Sequence, residues 1–304
     1  MLSTLLTSAR APTFAPELRG FLAAHAAEHG ERTPIVRAFL GGARADRLGF
    51  AFVAGYRAAL EALVPDRPGE LSTLAALCAT EVGGNHPRAI ETTLAGGKVR
   101  GHKKWITLGG AAETLLVVAK VGEVEGRPKL SLAAVRADAP GVRVTALPET
   151  PFVPEVPHAE AHFEDVEVTY VFPGDGYADY LKPFRTVEDL HVHAAFLGYA
   201  LRATLAAADQ EGTERLLAVV AAVEALAGTP TASVTTHLAL AGVIASTNDL
   251  VARLESTLTA ADPRFPRDRA LLLVAGKART ARREAAWRAL TSADAPGVVP
   301  SSAQ

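Results

Sequence analysis

The sequence has a single cysteine, almost no net charge and no long apolar run, and each shortage excludes a class of protein. One cysteine cannot form an internal disulfide framework, and it fits a reducing compartment. The formal net charge of -2 gives no whole-chain field that favours nucleic acid or an anionic membrane as a partner. No apolar run reaches the ~18 residues of a membrane span, and the first residues lack the pattern of a secretory signal. We therefore expect a cytoplasmic protein.

The bulk composition is that of an ordinary globular protein. The chain has 304 residues, of which 49% are hydrophobic and 21% are charged. This length can bury a sizeable core and accommodates two or three compact units. We expect three such units, because the spacing of the apolar residues changes twice along the chain.

Residues 1–73 are predicted to form a helical domain. Apolar side chains recur there at helical spacing, first at Leu18, Phe21, Leu22 and His25, and then at Phe50, Val53, Tyr56, Leu60 and Leu63. The pair Gly41-Gly42 predicts a break within this zone. The segment Pro65–Gly69 predicts its end.

Residues 74–172 are predicted to form an antiparallel β domain. Residues 92–95, the turn Gly96-Gly97 and residues 98–107 have the pattern of a β-hairpin. Further short runs of β-forming residues alternate with glycine and proline turns. These runs cover residues 115–120, 130–136, 142–146, 159–163 and 166–171.

Residues 173–292 are predicted to form a C-terminal helical bundle. One apolar stripe begins at Phe184, and three more helices are expected at residues 213–226, 233–258 and 268–290. Four antiparallel helices of this kind make a bundle. Residues 293–304 are predicted to be a disordered tail.

A short motif in the β domain carries the clearest functional signal. Cys78-Ala79-Thr80-Glu81 is followed, 24 residues after Glu81, by Trp105-Ile106-Thr107. This pair of segments resembles the flavin-binding region of acyl-CoA dehydrogenases. The order helical, β, helical is also similar to that family, and the resemblance covers roughly residues 71–209. It implies the family's fold, with FAD between the β domain and the C-terminal bundle.

The resemblance also implies roles for individual residues. Trp105 would stack on the isoalloxazine ring, Thr107 would reach its N5 edge, and Thr80 would form a hydrogen bond with its pyrimidine side. The loop that cradles the pyrophosphate in the family ends here in Asn85-His86 instead of a serine and an aspartate. We expect these two side chains to act as the hydrogen-bond donors.

The family reaction implies a carboxylate base that removes the α-proton of an acyl-CoA thioester. Most members carry it near the C-terminus in a Glu-Gly-Thr stretch, which the end of this chain does not have. A minority place it on the first helix of the bundle, and alignment on Leu197–Ala200 puts Glu188 there. At 3.6 residues per turn, Glu188 is expected to share a face with His191 and Ala195, where small residues would leave room for a ligand. The alternative is that Glu188 only complements the helix dipole.

The implied partners are an acyl-CoA substrate, an electron-transfer protein and further subunits of a homo- or hetero-oligomer. Two other readings stay open. The segment after Ala208 lacks the family's Arg-x-x-Phe-Gly stretch, which favours a flavin-poor, non-catalytic subunit that completes a catalytic partner. A related flavin oxidase or monooxygenase is a third reading, since the fold does not separate these functions.

A proline-rich segment and two histidine pairs carry weaker signals. The proline-rich segment Pro151–His158 either shapes an acyl pocket or forms a rigid crossover. The histidine pairs His25/His29 and His191/His193 lack a third ligand or a shared face, so the sequence predicts no metal site.

Overall fold

A computed structural model describes residues 1–11, 13–64, 74–84 and 86–292 of the chain. The predicted end of the first helical zone at residues 65–69 lies outside these ranges. The predicted tail at residues 293–304 lies outside them as well.

The N-terminal part of the chain folds into helices, as its apolar spacing predicts. The helices are α1 (Leu2–Arg10), α2 (Leu18–His29), α3 (Pro34–Arg44) and α4 (Leu48–Leu63). Helix α3 begins with Pro34 at its first turn, where the missing N–H costs nothing. Helix α4 is buried along most of its length, which fits its nearly continuous run of apolar and small residues.

The predicted break at Gly41-Gly42 is wrong, because both glycines lie inside α3. Their function is close packing against another helix. A Cβ on Gly42 would lie 1.7 Å from the backbone oxygen of Ala195, and one on Gly198 would lie 2.1 Å from that of Phe39. The backbones of α3 and the first bundle helix therefore touch, which only glycine allows at these two positions.

The middle of the chain forms one eight-stranded sheet within the described residues. Its strands are β1 (Ala75–Cys78), β2 (Thr93–Ala95), β3 (Lys98–Thr107), β4 (Thr114–Val124), β5 (Arg127–Arg136), β6 (Val142–Ala146), β7 (His158–Glu167) and β8 (Tyr170–Val171). The strand order is β6-β7-β3-β2-β4-β5-β8, with β1 parallel to β4. Most neighbours are antiparallel, as predicted.

The predicted hairpin is confirmed, while one predicted strand is wrong. Strands β2 and β3 pair through Gly96 and Gly97, whose φ angles of 56° and 74° suit a tight hairpin turn. The expected separate strand at residues 166–171 does not form. A bulge near Asp165 bends β7, but pairing with β3 resumes at Val166, and only β8 remains beyond it.

The C-terminal part of the chain is helical. A π-helical turn (Gly176–Leu181) leads into α5 (Lys182–Ala206), which is followed by α6 (Gln210–Ala227), α7 (Val234–Arg253), α8 (Glu255–Ala261), α9 (Phe265–Asp268) and α10 (Gly276–Thr291). Helix α5 is the most buried of these and packs on α3, α4 and α6. The four long helices α5, α6, α7 and α10 correspond to the predicted bundle.

Two of the predicted bundle helices are interrupted. The helix expected at residues 233–258 is divided at Leu254, and the one expected at 268–290 begins only at Gly276. The intervening residues 269–275 begin with a short 3-10 helix (Arg269–Leu273), and they help to line the cavity described below. Among the described residues, no helix combines the length and the apolar character that a membrane span requires.

Candidate active site

A cavity of about 370 Å³ lies between the sheet and the helices, and three of the predicted site residues line it. Trp105 and Thr107 reach it from the end of β3. Glu188 reaches it from the second turn of α5. The cavity size lies at the lower end of ordinary ligand pockets, about 300 to 1,000 Å³. The sheet side of the cavity therefore carries two residues that are predicted to bind the flavin, and the helix side carries the predicted base.

Trp105 occupies an unusual position in its strand. The pairing of β3 with β7 is irregular between Lys103 and Ile106, and within this bulge Trp105 has a φ of 54°. A bulky residue in the left-handed region is strained, and such strain persists only where the surrounding structure imposes it. The indole is also 61% exposed. Trp105 is therefore a wall of the cavity and not part of the core.

Thr107 lies directly opposite a histidine that the sequence did not single out. Thr107 pairs with His158 of β7, and both residues line the cavity. His158 Nδ1 lies 3.0 Å from the backbone oxygen of Val156, and burial lowers the pKa of its ring. A neutral ring that donates through Nδ1 has Nε2 as an acceptor. Only the cross-strand register brings His158 to Thr107, since 50 residues separate them in the sequence.

Glu188 has the electrostatic character of a base. Burial, followed by the charge of the neighbouring Asp189, raises its pKa to about 7, although Arg279 and Arg185 oppose this shift. Among the described residues, no hydrogen bond or ion pair to its carboxylate is found. A desolvated carboxylate of this kind has a pKa near the operating pH of a general base.

Asp189, the next residue, has the opposite character. Its carboxylate lies 2.8 Å from Arg279 Nη2 and 2.5 Å from Arg282 Nη2. Although burial opposes it, these two cations keep the pKa of Asp189 below its usual value. Asp189 therefore stays charged and fastens α10 to α5, which leaves Glu188 as the carboxylate that can exchange a proton in the cavity.

The predicted face of α5 requires a correction. His191 and Ala195 do not extend the Glu188 face towards a ligand. A Cβ on Gly55 of α4 would meet the backbone oxygen of His191 at 2.7 Å and the Ala195 side chain at 3.1 Å. His191 and Ala195 therefore pack against the neighbouring helix α4. The cavity side of α5 instead carries Val192 and His193 beyond Glu188.

Thr80 lies beside the Trp105 strand without lining the cavity. Its backbone oxygen accepts a hydrogen bond of 2.8 Å from the N–H of Lys104, the residue before Trp105. The next residue, Glu81, is buried and contacts Lys103 Nζ at 2.6 Å. Glu81 also accepts hydrogen bonds from the N–H groups of Glu91 and Thr92.

Glu81 and Lys103 were not identified from the sequence, but they explain the spacing of the motif. A buried ion pair of this kind holds two segments in one register, because breaking it would leave an uncompensated charge. The pair therefore joins the turn after β1 to the strand that carries Trp105 and Thr107.

The predicted phosphate loop is only partly described. Asn85 lies outside the described residues. His86 is exposed, and its Nδ1 accepts a hydrogen bond of 3.3 Å from the N–H of Arg88. The proton of a neutral His86 ring therefore lies on Nε2, where it can be donated to a ligand. The turn itself is closed by hydrogen bonds between Glu81 and Gly84, and Gly84 has a φ of 102° that glycine tolerates best.

The proline-rich segment contributes to the cavity wall. Phe152, Val153 and His158 of this segment line the cavity, as does Thr150 just before it. The N–H of Val153 donates a hydrogen bond of 2.8 Å to Asp268 Oδ1, which anchors the segment to α9. Of the two roles left open for this segment, the placement favours the shaping of a pocket.

A second cavity, of about 770 Å³, meets the first at Glu188 and Asp189. Its lining includes Lys182, Arg185 and Arg282, together with His237. One cavity is mainly apolar and the other carries positive charge, and the Glu188 carboxylate lies where they adjoin.

A Glu-Gly-Thr sequence does occur at residues 211–213, outside the cavity. Glu211 lies in the first turn of α6, and its side chain is 58% exposed. It pairs with Arg215 at 2.8 Å and with Arg253 at 2.9 Å. This glutamate does not line either of the two cavities, so it is not a second candidate base.

Comparison with known proteins agrees with this architecture. Residues 76–166 match the family model described as acyl-CoA dehydrogenase, middle domain. No curated protein matches the sequence of the chain.

Several solved structures share the fold. A chain of the electron transferring flavoprotein of Acidaminococcus fermentans is 19% identical with a TM-score of 0.67, over 95% of this chain and 96% of that one. Butyryl-CoA dehydrogenase from Megasphaera elsdenii is 16% identical with a TM-score of 0.60, over 84% and 81% of the two chains. Glutaryl-CoA dehydrogenase from Mycobacterium smegmatis is 12% identical with a TM-score of 0.65, over 95% and 89%. At these identities the likeness establishes the fold and not the reaction.

Proposed function

Since the chain is an acyl-CoA dehydrogenase family member by its middle domain and its fold, we propose that it binds FAD and removes two hydrogens from an acyl-CoA thioester. The observation that supports this proposal best is the cavity shared by Trp105, Thr107 and Glu188. It brings a flat aromatic wall, a hydroxyl group and a carboxylate of raised pKa around one space.

The residues on the sheet side fit a flavin ring. The exposed indole of Trp105 offers a flat apolar surface for stacking, and the strained bulge keeps it out of the core. Thr107 provides a hydroxyl donor on the same wall, and Thr80 and His86 lie along the adjoining turn. A bound FAD would supply the acceptor for the electrons and the β-hydrogen of the acyl chain.

Glu188 is the residue to which we assign the α-proton. Because its carboxylate is desolvated and has no bonding partner among the described residues, its basicity is not reduced by a hydrogen bond. A pKa of about 7 is close to the value at which a side chain is both deprotonated and a useful base near neutral pH. Asp189, paired with Arg279 and Arg282, holds the cavity wall in place.

The two adjoining cavities suggest how the substrate would lie. The apolar one, with Phe52, Phe152 and Val153, suits an acyl chain. The second, with Lys182, Arg185 and Arg282, suits the anionic part of a coenzyme A ester. The thioester carbon would then lie where the cavities adjoin, beside Glu188.

One observation favours the second reading, a family-like subunit without its own flavin. The segment after Ala208 forms a tight helix start, in which Asp209 Oδ1 accepts a hydrogen bond of 2.9 Å from the N–H of Gly212. The family's Arg-Phe contacts to FAD are absent from it. In this reading the adenine half of FAD is held by another subunit, and a mixed oligomer is the active form.

The absorption spectrum of the purified protein distinguishes the two readings. We expect flavin bands that bleach under anaerobic conditions when a suitable acyl-CoA is added. A protein that is colourless alone and gains flavin only after co-expression with a catalytic relative would favour the second reading. A role in fatty acid metabolism, a cytoplasmic location, an electron-transfer protein as the oxidant and an oligomeric state belong to the same proposal.

A further inference from the structure

We propose that His102, Glu160 and His162 form a binding site for Zn²⁺ or a similar divalent transition metal ion. The three side chains offer one nitrogen, one carboxylate oxygen and one further nitrogen, all within 4.8 Å of one another. This cluster is separate from the cavity of Glu188 and is independent of the proposed function.

The pairing of two strands brings the three residues together. His102 of β3 lies directly opposite His162 of β7, and Glu160 is two residues from His162 on the same strand. Side chains at i and i+2 of a strand point to the same face, and opposite residues on antiparallel strands have adjacent Cβ atoms. All three side chains therefore extend from one face of the sheet.

The donor set fits zinc chemistry. Two imidazoles and one carboxylate are a common ligand set for Zn²⁺ with a fourth position open to water. His102 Nε2 is buried and makes no hydrogen bond, although it lies 3.3 Å from Glu160 Oε2, within ion-pair distance. A buried nitrogen that makes no hydrogen bond costs free energy, and a metal ion between it and the Glu160 carboxylate would bind both groups.

Access to the site is provided by a large cavity. His102 and His162 both line a cavity of about 900 Å³ between the sheet and the turn that follows β1. A metal ion and the water at its fourth position would reach the two histidines from this side.

Binding would require a small rearrangement. The two imidazole rings are stacked, with centroids 3.7 Å apart and an angle of 12° between their planes. Parallel rings cannot both direct a nitrogen lone pair at one ion, so at least one ring must rotate. The torsion of a histidine ring about its Cβ–Cγ bond is broad, and this rotation is therefore inexpensive.

Two cations near the cluster compete with a metal ion. Lys104 Nζ lies 3.5 Å from Glu160 Oε2, and Arg143 of β6 lies opposite His162 in the sheet. A metal ion must displace the Lys104 ammonium group from the carboxylate. This competition makes the affinity sensitive to a residue that is not itself a ligand.

Titration calorimetry of the full-length protein with ZnCl₂ tests the site. We expect one Zn²⁺ per chain, and no binding at this site after His102→Ala, His162→Ala or Glu160→Gln. Glu167→Gln, which removes an exposed carboxylate from the same strand outside this cavity, is the matched control and should bind as the parent does. Absence of binding by the parent protein, or equal binding by all variants, would overturn the proposal.

A variant that is expected to bind Zn²⁺ more tightly shows whether loss of binding in the other variants reflects loss of a ligand or misfolding. Lys104→Gln retains all three ligands and removes the competing ammonium group, so the affinity for Zn²⁺ should rise by about fivefold at low ionic strength. Unchanged or weaker affinity in this variant would contradict the proposed ligand role of Glu160.

Discussion

Replacing Glu188 with glutamine should nearly abolish flavin bleaching by acyl-CoA while leaving ligand binding intact. Glutamine has nearly the same shape but cannot accept the α-proton, so the loss should be that of a general base, roughly 10²- to 10⁴-fold in rate. The variant should be at least as stable as the parent protein. Because burial raises the pKa of Glu188 from 4.5 to about 7, the folded state keeps a proton that the unfolded state loses in this pH range. The parent therefore loses stability as the pH rises from about 4.5 to about 7, and the variant does not. The measurement is single-turnover bleaching at saturating substrate.

The pH profile and a matched variant complete this test. Below its pKa of about 7 Glu188 is protonated and cannot take a proton, so the rate should rise tenfold per pH unit up to that value and then level off. Glu211→Gln removes the exposed glutamate of the other Glu-Gly-Thr sequence and should leave the profile unchanged. A Glu188→Gln protein that still bleaches at the parent rate would remove this residue from the mechanism.

Replacing Trp105 with glycine should remove most of the bound flavin without destabilising the protein. Loss of the stacking surface should weaken FAD binding by about tenfold or more, since aromatic pairs contribute about 0.5–1.5 kcal/mol beyond their buried area. A tryptophan packed in a core would cost about 3–5 kcal/mol on truncation. Here the free energy of unfolding should change by no more than about 1 kcal/mol, because glycine relieves a strained, exposed position.

The other tryptophan provides the control. Trp287 lies on α10, outside the cavity, and is 49% exposed. Trp287→Ala also removes one indole, yet it should change neither the FAD affinity nor the spectrum. Equal flavin loss in both variants would show that the effect of Trp105 is not local, and a large loss of stability in Trp105→Gly would show that the indole supports the core.

Much of the fold could be predicted from local patterns. The glycine turn between β2 and β3 and the apolar spacing of α4 each depend on neighbouring residues, so the sequence alone predicts them. The glycines of α3 gave a wrong prediction, because they make close contacts with other helices, Gly41 with Ala54 of α4 and Gly42 with Ala195, about 150 residues away. Local rules treat such a glycine as a break, whereas tertiary packing can make it a contact point.

Only part of the candidate site could likewise be predicted from the sequence. The resemblance to acyl-CoA dehydrogenases implies roles for Trp105, Thr107 and Glu188, and the structure places all three around one cavity. His158 was missed because its position depends on strand register, and the cluster of His102, Glu160 and His162 was missed for the same reason. The roles that the sequence gives to Thr80, Asn85 and His86 stay predictions.

The fluorescence of Trp105 in a protein that lacks Trp287 tests the central claim most directly. In Trp287→Phe the only indole is that of Trp105, and FAD added to the flavin-free protein should quench its emission saturably, with one FAD per chain. In the reciprocal protein, Trp105→Phe, the emission of Trp287 should change little at the same FAD occupancy. Saturable FAD binding that leaves the Trp105 emission unchanged would place the flavin elsewhere and contradict the account.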